Sequence, residues 1–157
     1  MVPPYAASPD QLVNFVLPKD TADNKIIVSI HAYTPYAFAL DAKGTNTFNR
    51  LTSASTRDIE LFMNRIYNKF IAAGIPVVIG EFGAREKDGN LQARVDYTAY
   101  YVAGAAARGI PCCLWDNHVF SGTGERFGVL RRGTAAFAYP EIVEAMMLNA
   151  MQPLPVE

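Results

Sequence analysis

Glu81 ends a short apolar run, Pro76-Val77-Val78-Ile79-Gly80-Glu81-Phe82-Gly83, with one glycine before it and another two residues on. Four or five apolar residues bounded by proline and glycine read as a buried parallel strand. A charge at the last residue of such a strand is costly unless it opens onto a cavity or meets a partner. In barrels and open α/β sheets that C-terminal strand end is where ligands sit. Glu81 therefore stands where a catalytic nucleophile or general base would stand. The same feature also suits a plain strand-end carboxylate that caps the next helix.

The surrounding segment recurs. Gly74-Ile75-Pro76-Val77-Val78-Ile79-Gly80-Glu81 is echoed by Gly109-Ile110-Pro111-Cys112-Cys113-Leu114-Trp115-Asp116. Each glycine suits a left-handed helix terminus. Each proline suits a first strand residue, where a missing N–H is tolerated. Two further strand ends precede these: Lys25–His31, a β-branched run, and Met1–Tyr5. The four ends carry Tyr5, His31, Glu81 and Trp115. Tyr33, two residues beyond His31, is placed to donate a hydrogen bond to the Glu81 carboxylate. His31 is placed to bind a hydroxyl. Trp115 offers a flat face suited to the C–H faces of a sugar ring, and Asp116 and Asn117 add polar contacts. A carboxylate, a tyrosine, a histidine and a stacking tryptophan suit sugar cleavage better than phosphate or redox chemistry. The chain has neither a glycine-rich phosphate loop nor a nucleophile elbow. Taken singly, His31 also suits a structural strand end, and Trp115 a core position.

The elements that would position these groups follow from periodicity. Residues 9–16 predict a short helix, 17–25 a polar loop, and 32–55 a long irregular loop holding Tyr33, Tyr36, Phe38 and Phe48. Connections of that length in compact domains are usually functional. Residues 55–73 predict a helix with Ile59, Phe62, Met63, Ile66, Tyr67 and Phe70 on one face, and Ser55 with Asp58 has capping-box spacing. A second helix is predicted over about 91–108. A last one begins near Pro140, carrying Ile142, Val143, Met146 and Met147. Strand then helix, four times over, predicts an α/β fold: a small open parallel sheet or half of an eight-unit barrel.

Bulk properties fit one domain, residues 1–151, followed by a flexible tail at 152–157. The chain has 157 residues, of which 50% are hydrophobic, with a net charge of −1. Its basic residues are scattered, so no nucleic-acid footprint is expected. No apolar run reaches membrane-spanning length. Met1–Tyr5 has no signal-peptide character, which leaves the location unknown. The two cysteines, Cys112 and Cys113, are adjacent in a strand and expected as free thiols on opposite faces. No metal-type spacing occurs, and no metal or other cofactor is expected.

Three segments then carry a resemblance: Val28-Ser29-Ile30-His31-Ala32-Tyr33, Val78-Ile79-Gly80-Glu81-Phe82-Gly83 and Cys113-Leu114-Trp115-Asp116-Asn117. They resemble the sixth, seventh and eighth strands of glycoside hydrolase family 5, which includes endo-β-1,4-glucanases and relatives acting on mannan and xyloglucan. Met1–Ser8 resembles that family's fifth-strand region, and Tyr139–Val143 its last helix. The resemblance implies half of a (β/α)8 TIM barrel, four parallel βα units, from a secreted parent enzyme acting on β-glucan. It implies Glu81 as the nucleophile of a retaining mechanism, His31 and Tyr33 as its active-site companions, and Trp115 stacking on the sugar. Asn117 and Tyr36 are the remaining candidate substrate contacts.

The family's second glutamate lies in an Asn-Glu-Pro motif at the fourth strand, and this chain contains no such motif. A retaining glycosidase needs two carboxyl groups roughly 5–5.5 Å apart. The expectation is a fragment carrying the nucleophile half of a cellulase site, weak or inactive alone. Alternatives are an enzyme completed by a second chain and a non-catalytic β-glucan-binding half-barrel. A four-strand half-barrel leaves open edges, so self-association, most simply a two-fold dimer of half-barrels, is expected. The competing fold is a free-standing flavodoxin-like sheet.

Overall fold

A computed structural model describes residues 1–22 and 24–151. Its centre is a parallel sheet of β1 (Val28–His31), β2 (Val77–Phe82) and β3 (Cys112–Leu114), in that order. Helix α1 (Tyr36–Ala39) and helix α2 (Ser53–Lys69) connect β1 to β2. Helix α3 (Leu91–Ala107) connects β2 to β3. A small antiparallel hairpin, β4 (Leu130–Arg131) with β5 (Ala136–Phe137), precedes helix α4 (Pro140–Met151). The predicted tail at 152–157 lies outside the described residues.

The repeated Gly-Ile-Pro segments do the same work twice. At Gly74 (φ 76°) and Gly109 (φ 68°) the helix ends in the left-handed region. Ile75 N–H donates to Phe70 O and Gly74 N–H to Ile71 O; Ile110 N–H donates to Ala105 O and Gly109 N–H to Ala106 O. This is the paired closure of a Schellman motif, whose left-handed residue is best filled by glycine. Each proline then opens the strand with its carbonyl: Pro76 O accepts from Val28 N–H and Pro111 O from Ile79 N–H, both at 2.9 Å.

Two expectations are corrected. The strand expected over Met1–Tyr5 is a single parallel bridge between Val2 and Val28. Pro3 and Pro4 remove two ladder donors, the chain turns into a 3-10 segment at Tyr5–Ala7, and Tyr5 is exposed. The described residues therefore hold three full parallel strands and one bridge, not four strands. The capping box at Ser55 does not form either. The helix starts at Ser53 after Thr52, and Ser55 Oγ accepts from Asn49 N–H instead. The loop before the helix has taken the hydroxyl that a cap would use.

One face of the sheet is packed by helices. Val28, Ile30, Val77 and Ile79 on alternate strand positions bury against Ile59, Phe62, Met63 and Ile66 of α2 and Tyr97, Tyr101 and Val102 of α3. Phe82 stacks on Tyr101 with ring centroids 4.6 Å apart and planes 11° from parallel. The opposite face carries Ser29, Val78 and Cys113 by strand alternation. Cys113 there is exposed, whereas Cys112 packs against the core.

Candidate active site

The strands bring Glu81 and His31 together by a break in register. Ile30 pairs with Ile79, but His31 pairs with Glu81, so Gly80 is passed over. Such a bulge re-aims the side chain that follows it. Here it places Glu81 opposite His31 at the C-terminal mouth of the sheet, with Ala32 N–H donating to Glu81 O at 2.9 Å. Glycine leaves room at the bulge. A Cβ at position 80 would meet Ser29 Oγ at 3.0 Å and His31 Nε2 at 3.2 Å. The imidazole occupies the space a side chain would fill.

Three predicted residues converge. Tyr33 Oη donates to Glu81 Oε2 at 2.8 Å. His31 Nδ1 lies 3.4 Å from Glu81 Oε1. The carboxylate thus has a neutral donor on one oxygen and an imidazole beside the other, and it is partly open to solvent. Burial, then the hydrogen bond to Glu81, then the charges of Glu81 and Glu125 push the Tyr33 hydroxyl well above the ordinary tyrosine range. It stays protonated, and so a donor, throughout the working pH range of a protein.

Tyr33 is held from two sides. Tyr101 Oη donates to Ala32 O at 2.9 Å, tying α3 to the residue between His31 and Tyr33. The Phe127 ring lies 5.5 Å from the Tyr33 ring. Phe127 N–H donates in turn to Asn117 Oδ1 at 3.3 Å.

Asn117 therefore does not face the carboxylate as a free amide. Its Oδ1 also accepts from Val119 N–H, and its Nδ2 donates to Glu125 O at 2.7 Å. Asp116 is likewise committed to its own loop. It accepts from His118 and Val129 N–H and pairs with Arg132 at 3.1 Å. Trp115 follows β3, its N–H bonded to Phe82 O at 2.8 Å, and its side chain is 39% exposed. Tyr36, the first residue of α1, is exposed.

The sequence reading missed Gly80, Tyr101 and Phe127. Tyr97 and Tyr101 stand one helical turn apart in a helix otherwise rich in alanine, which is a readable sign of an aromatic seam. Phe127 lies in an irregular loop and carries no such sign.

Of the other acids near this end of the sheet, Glu86 pairs with Arg126 at 2.7 Å, and Glu125 is exposed, its charge reaching the Tyr33 hydroxyl. Among the described residues no group of three or more His, Cys, Asp or Glu side chains is arranged to hold a metal ion. None of their helices is long and apolar enough to cross a membrane.

The adjacent cysteines differ chemically. Burial, and then the neighbouring Cys113, push the Cys112 thiol up to about 12. Thiolate is the reactive form, so Cys112 stays protonated and unreactive at mildly alkaline pH while Cys113 is accessible. Iodoacetamide at about pH 8 is expected to modify Cys113 alone in the folded chain, read by peptide fragmentation in a mass spectrometer. Equal labelling of Cys112 would contradict this burial pattern.

Against known proteins, the Cellulase model (glycosyl hydrolase family 5) matches residues 1–121. Endoglucanase B of Neocallimastix patriciarum is 42% identical over 149 residues, covering 94% of this chain and 30% of the relative. A mutant glycoside hydrolase 5 lichenase from Caldicellulosiruptor sp. F32, solved in complex with cellotetraose, superposes with a TM-score of 0.88 at 51% identity. That match covers 92% of this chain and 40% of the other. A GH5-4 broad specificity endoglucanase from Ruminococcus champanellensis with bound cellotriose gives 0.84 at 45% identity, covering 92% and 41%. The chain thus spans less than half the length of these relatives.

Proposed function

Because the chain belongs to the cellulase family, glycosyl hydrolase family 5, we propose that it carries the nucleophile half of an endo-β-1,4-glucanase active site. Residues 1–151 would be the second half of a (β/α)8 barrel. The observation that carries this reading is the Tyr33–Glu81–His31 cluster on a bulge at the C-terminal mouth of a parallel sheet. Function on such a fold lives at that mouth.

In a retaining reaction Glu81 attacks the anomeric carbon of a β-linked glucosyl unit. The glycosidic oxygen leaves and a glycosyl ester forms on the carboxylate; water then cleaves the ester. Tyr33 orients Oε2 and offsets its charge, leaving Oε1 for attack beside His31. Protonation of the leaving oxygen and activation of water need a second carboxyl about 5–5.5 Å away. Glu86 and Asp116 are paired with arginines and the chain has no Asn-Glu-Pro motif, so that group would come from outside these residues. Trp115, partly exposed after β3, would supply the flat surface for a glucose ring. Asn117 and Asp116 would shape the site by holding its loop rather than by touching sugar, and Tyr36 would widen the platform.

Cellotetraose provides the direct test. Trp115 is the one tryptophan in the chain, so its emission reports on this site alone. A saturable emission change is expected, and calorimetry on Trp115→Ala is expected to show affinity weaker by about tenfold or more. No saturable response in the unaltered chain would remove the sugar-site reading.

The open edge of β3 and the exposed Cys113 beside it call for cover. We propose that a second copy provides it when the chain is alone, giving a dimer of half-barrels. Light scattering at micromolar concentration is expected to return twice the chain mass. The monomer mass would reject this arrangement.

A further inference from the structure

Helix α1 has only four residues, far fewer than a helix needs to persist by itself. Its N-cap, Pro35, contributes no side-chain cap. What it has is an unusual carbonyl end. Lys87 Nζ donates to Ala37 O at 2.9 Å and to Asp41 O at 3.0 Å. Arg85 N–H donates to Ala39 O at 3.0 Å and its guanidinium to Leu40 O at 3.1 Å. Carbonyls that a helix leaves orphaned at its C-terminus are thus taken by two cations from another loop.

These cations are themselves out of place as ordinary surface charges. Lys87 is 5% exposed and Arg85 9%, and neither is in an ion pair with a carboxylate among the described residues. Buried charges normally demand such a partner. Here the negative ends of helix carbonyls serve instead, an arrangement favourable for a cation at a helix C-terminus. The Lys87 ammonium also lies 5.7 Å from the centre of the Phe38 ring. The segment is fixed at its own end by Asn90, which accepts from Lys87 N–H and donates to Arg85 O. Gly44 lets the following loop close onto the cap, since a Cβ there would fall 1.9 Å from Ala37 O. The other arm of Arg85 donates to Gly124 O at 2.9 Å, in the loop that follows Trp115.

We infer that Arg85 and Lys87 are positioning residues for the sugar site, building α1 by capping its carbonyl end and thereby fixing Tyr36 relative to Glu81. Both cations follow Glu81 closely in the chain, so the strand that presents the carboxylate also sets the loop across from it. The loop after β1 and the loop after β3 are held to one reference, the segment 84–90. The claim that ligand affinity depends on this cap rests on the sugar-site reading; the claim that α1 depends on it does not.

Amide exchange on the full chain separates the two. In Lys87→Met, the amides of Ala39, Leu40 and Asp41 are expected to exchange about tenfold faster or more, while those of Ile79 and Tyr101 keep their protection. Lys87→Arg, which restores a donor, is expected to recover most of the α1 protection. Unchanged exchange at 39–41, or loss spread equally to Ile79 and Tyr101, would overturn the cap. Should Lys87→Met not fold, Arg85→Gln gives the same reading at Leu40. Cellotetraose titration of the same variants completes the test, with affinity expected to fall about tenfold in Lys87→Met and to return in Lys87→Arg. Unchanged affinity with a loosened α1 would overturn the positioning role. If the unaltered chain fails to bind cellotetraose, the sugar-site reading and this role fall together, and the exchange result still decides the cap.

Discussion

Glu81→Gln is expected to reduce glycosidic hydrolysis by a factor of about 10³ or more, in any assembly that places a second carboxyl across from β2. The amide keeps the size of the side chain and an oxygen able to accept from Tyr33 Oη, so the Tyr33 hydrogen bond can survive. What it loses is the charge and the nucleophilic oxygen. An amide cannot form the glycosyl ester on which the two-step path depends. The substitution therefore separates placement from chemistry: cellotetraose binding should persist while turnover disappears. Initial rates on carboxymethyl-cellulose and an aryl β-cellobioside check it. Retention of more than about a tenth of the parent rate would exclude Glu81 as the nucleophile.

The second large effect concerns the carboxyl that the described residues do not place beside Glu81. The chain alone is expected to hydrolyse unactivated β-glucan slower by about 10²–10⁴-fold than the same chain joined by a half-barrel bearing a suitably placed glutamate. That range is the usual worth of general acid–base help, and an alkoxide leaving group needs it most. Mixing the chain with residues equivalent to the first four βα units of a relative, and assaying carboxymethyl-cellulose, measures the gain. Equal rates with and without the added half would mean that this chain finds its acid among its own residues. Glu125, whose charge reaches the Tyr33 hydroxyl, would then be the first residue to substitute.

Much of this was legible in the chain, for reasons that can be named. The two Gly-Ile-Pro segments encode three local requirements in successive residues: a left-handed terminus, an apolar anchor and a strand opening without a donor. Each is settled by backbone chemistry within a few residues, so the sequence carries it openly. The face of α2 was readable because burial repeats at the helical period. Met1–Tyr5 misled because an apolar pair beside two prolines has strand composition but cannot sustain a ladder. The Ser55 cap failed because the backbone N–H of Asn49, in the loop just before the helix, takes the hydroxyl.

The site divides along the same line. Glu81, His31 and Tyr33 announce themselves by charge or aromaticity at strand ends. The bulge at Gly80 that aligns Glu81 with His31 does not, because register depends on how two strands meet. Asn117 looked like a free amide since nothing local shows that Val119 and Phe127 N–H share its oxygen and that its nitrogen donates to Glu125 O. Arg85 and Lys87 read as ordinary loop charges until their carbonyl partners, some forty residues or more away in sequence, are seen.

On the proposed reading, Glu81 is a nucleophile ready to act in this chain, lacking only acid–base help. A good leaving group removes the need for that help in the first step. The chain should therefore be incubated with 2,4-dinitrophenyl β-cellobioside and its intact mass recorded. The predicted result is one cellobiosyl adduct per chain, mapped to Glu81, formed with a stoichiometric burst of dinitrophenolate and lost only slowly. Absence of both burst and adduct, or an adduct on another residue, would contradict it.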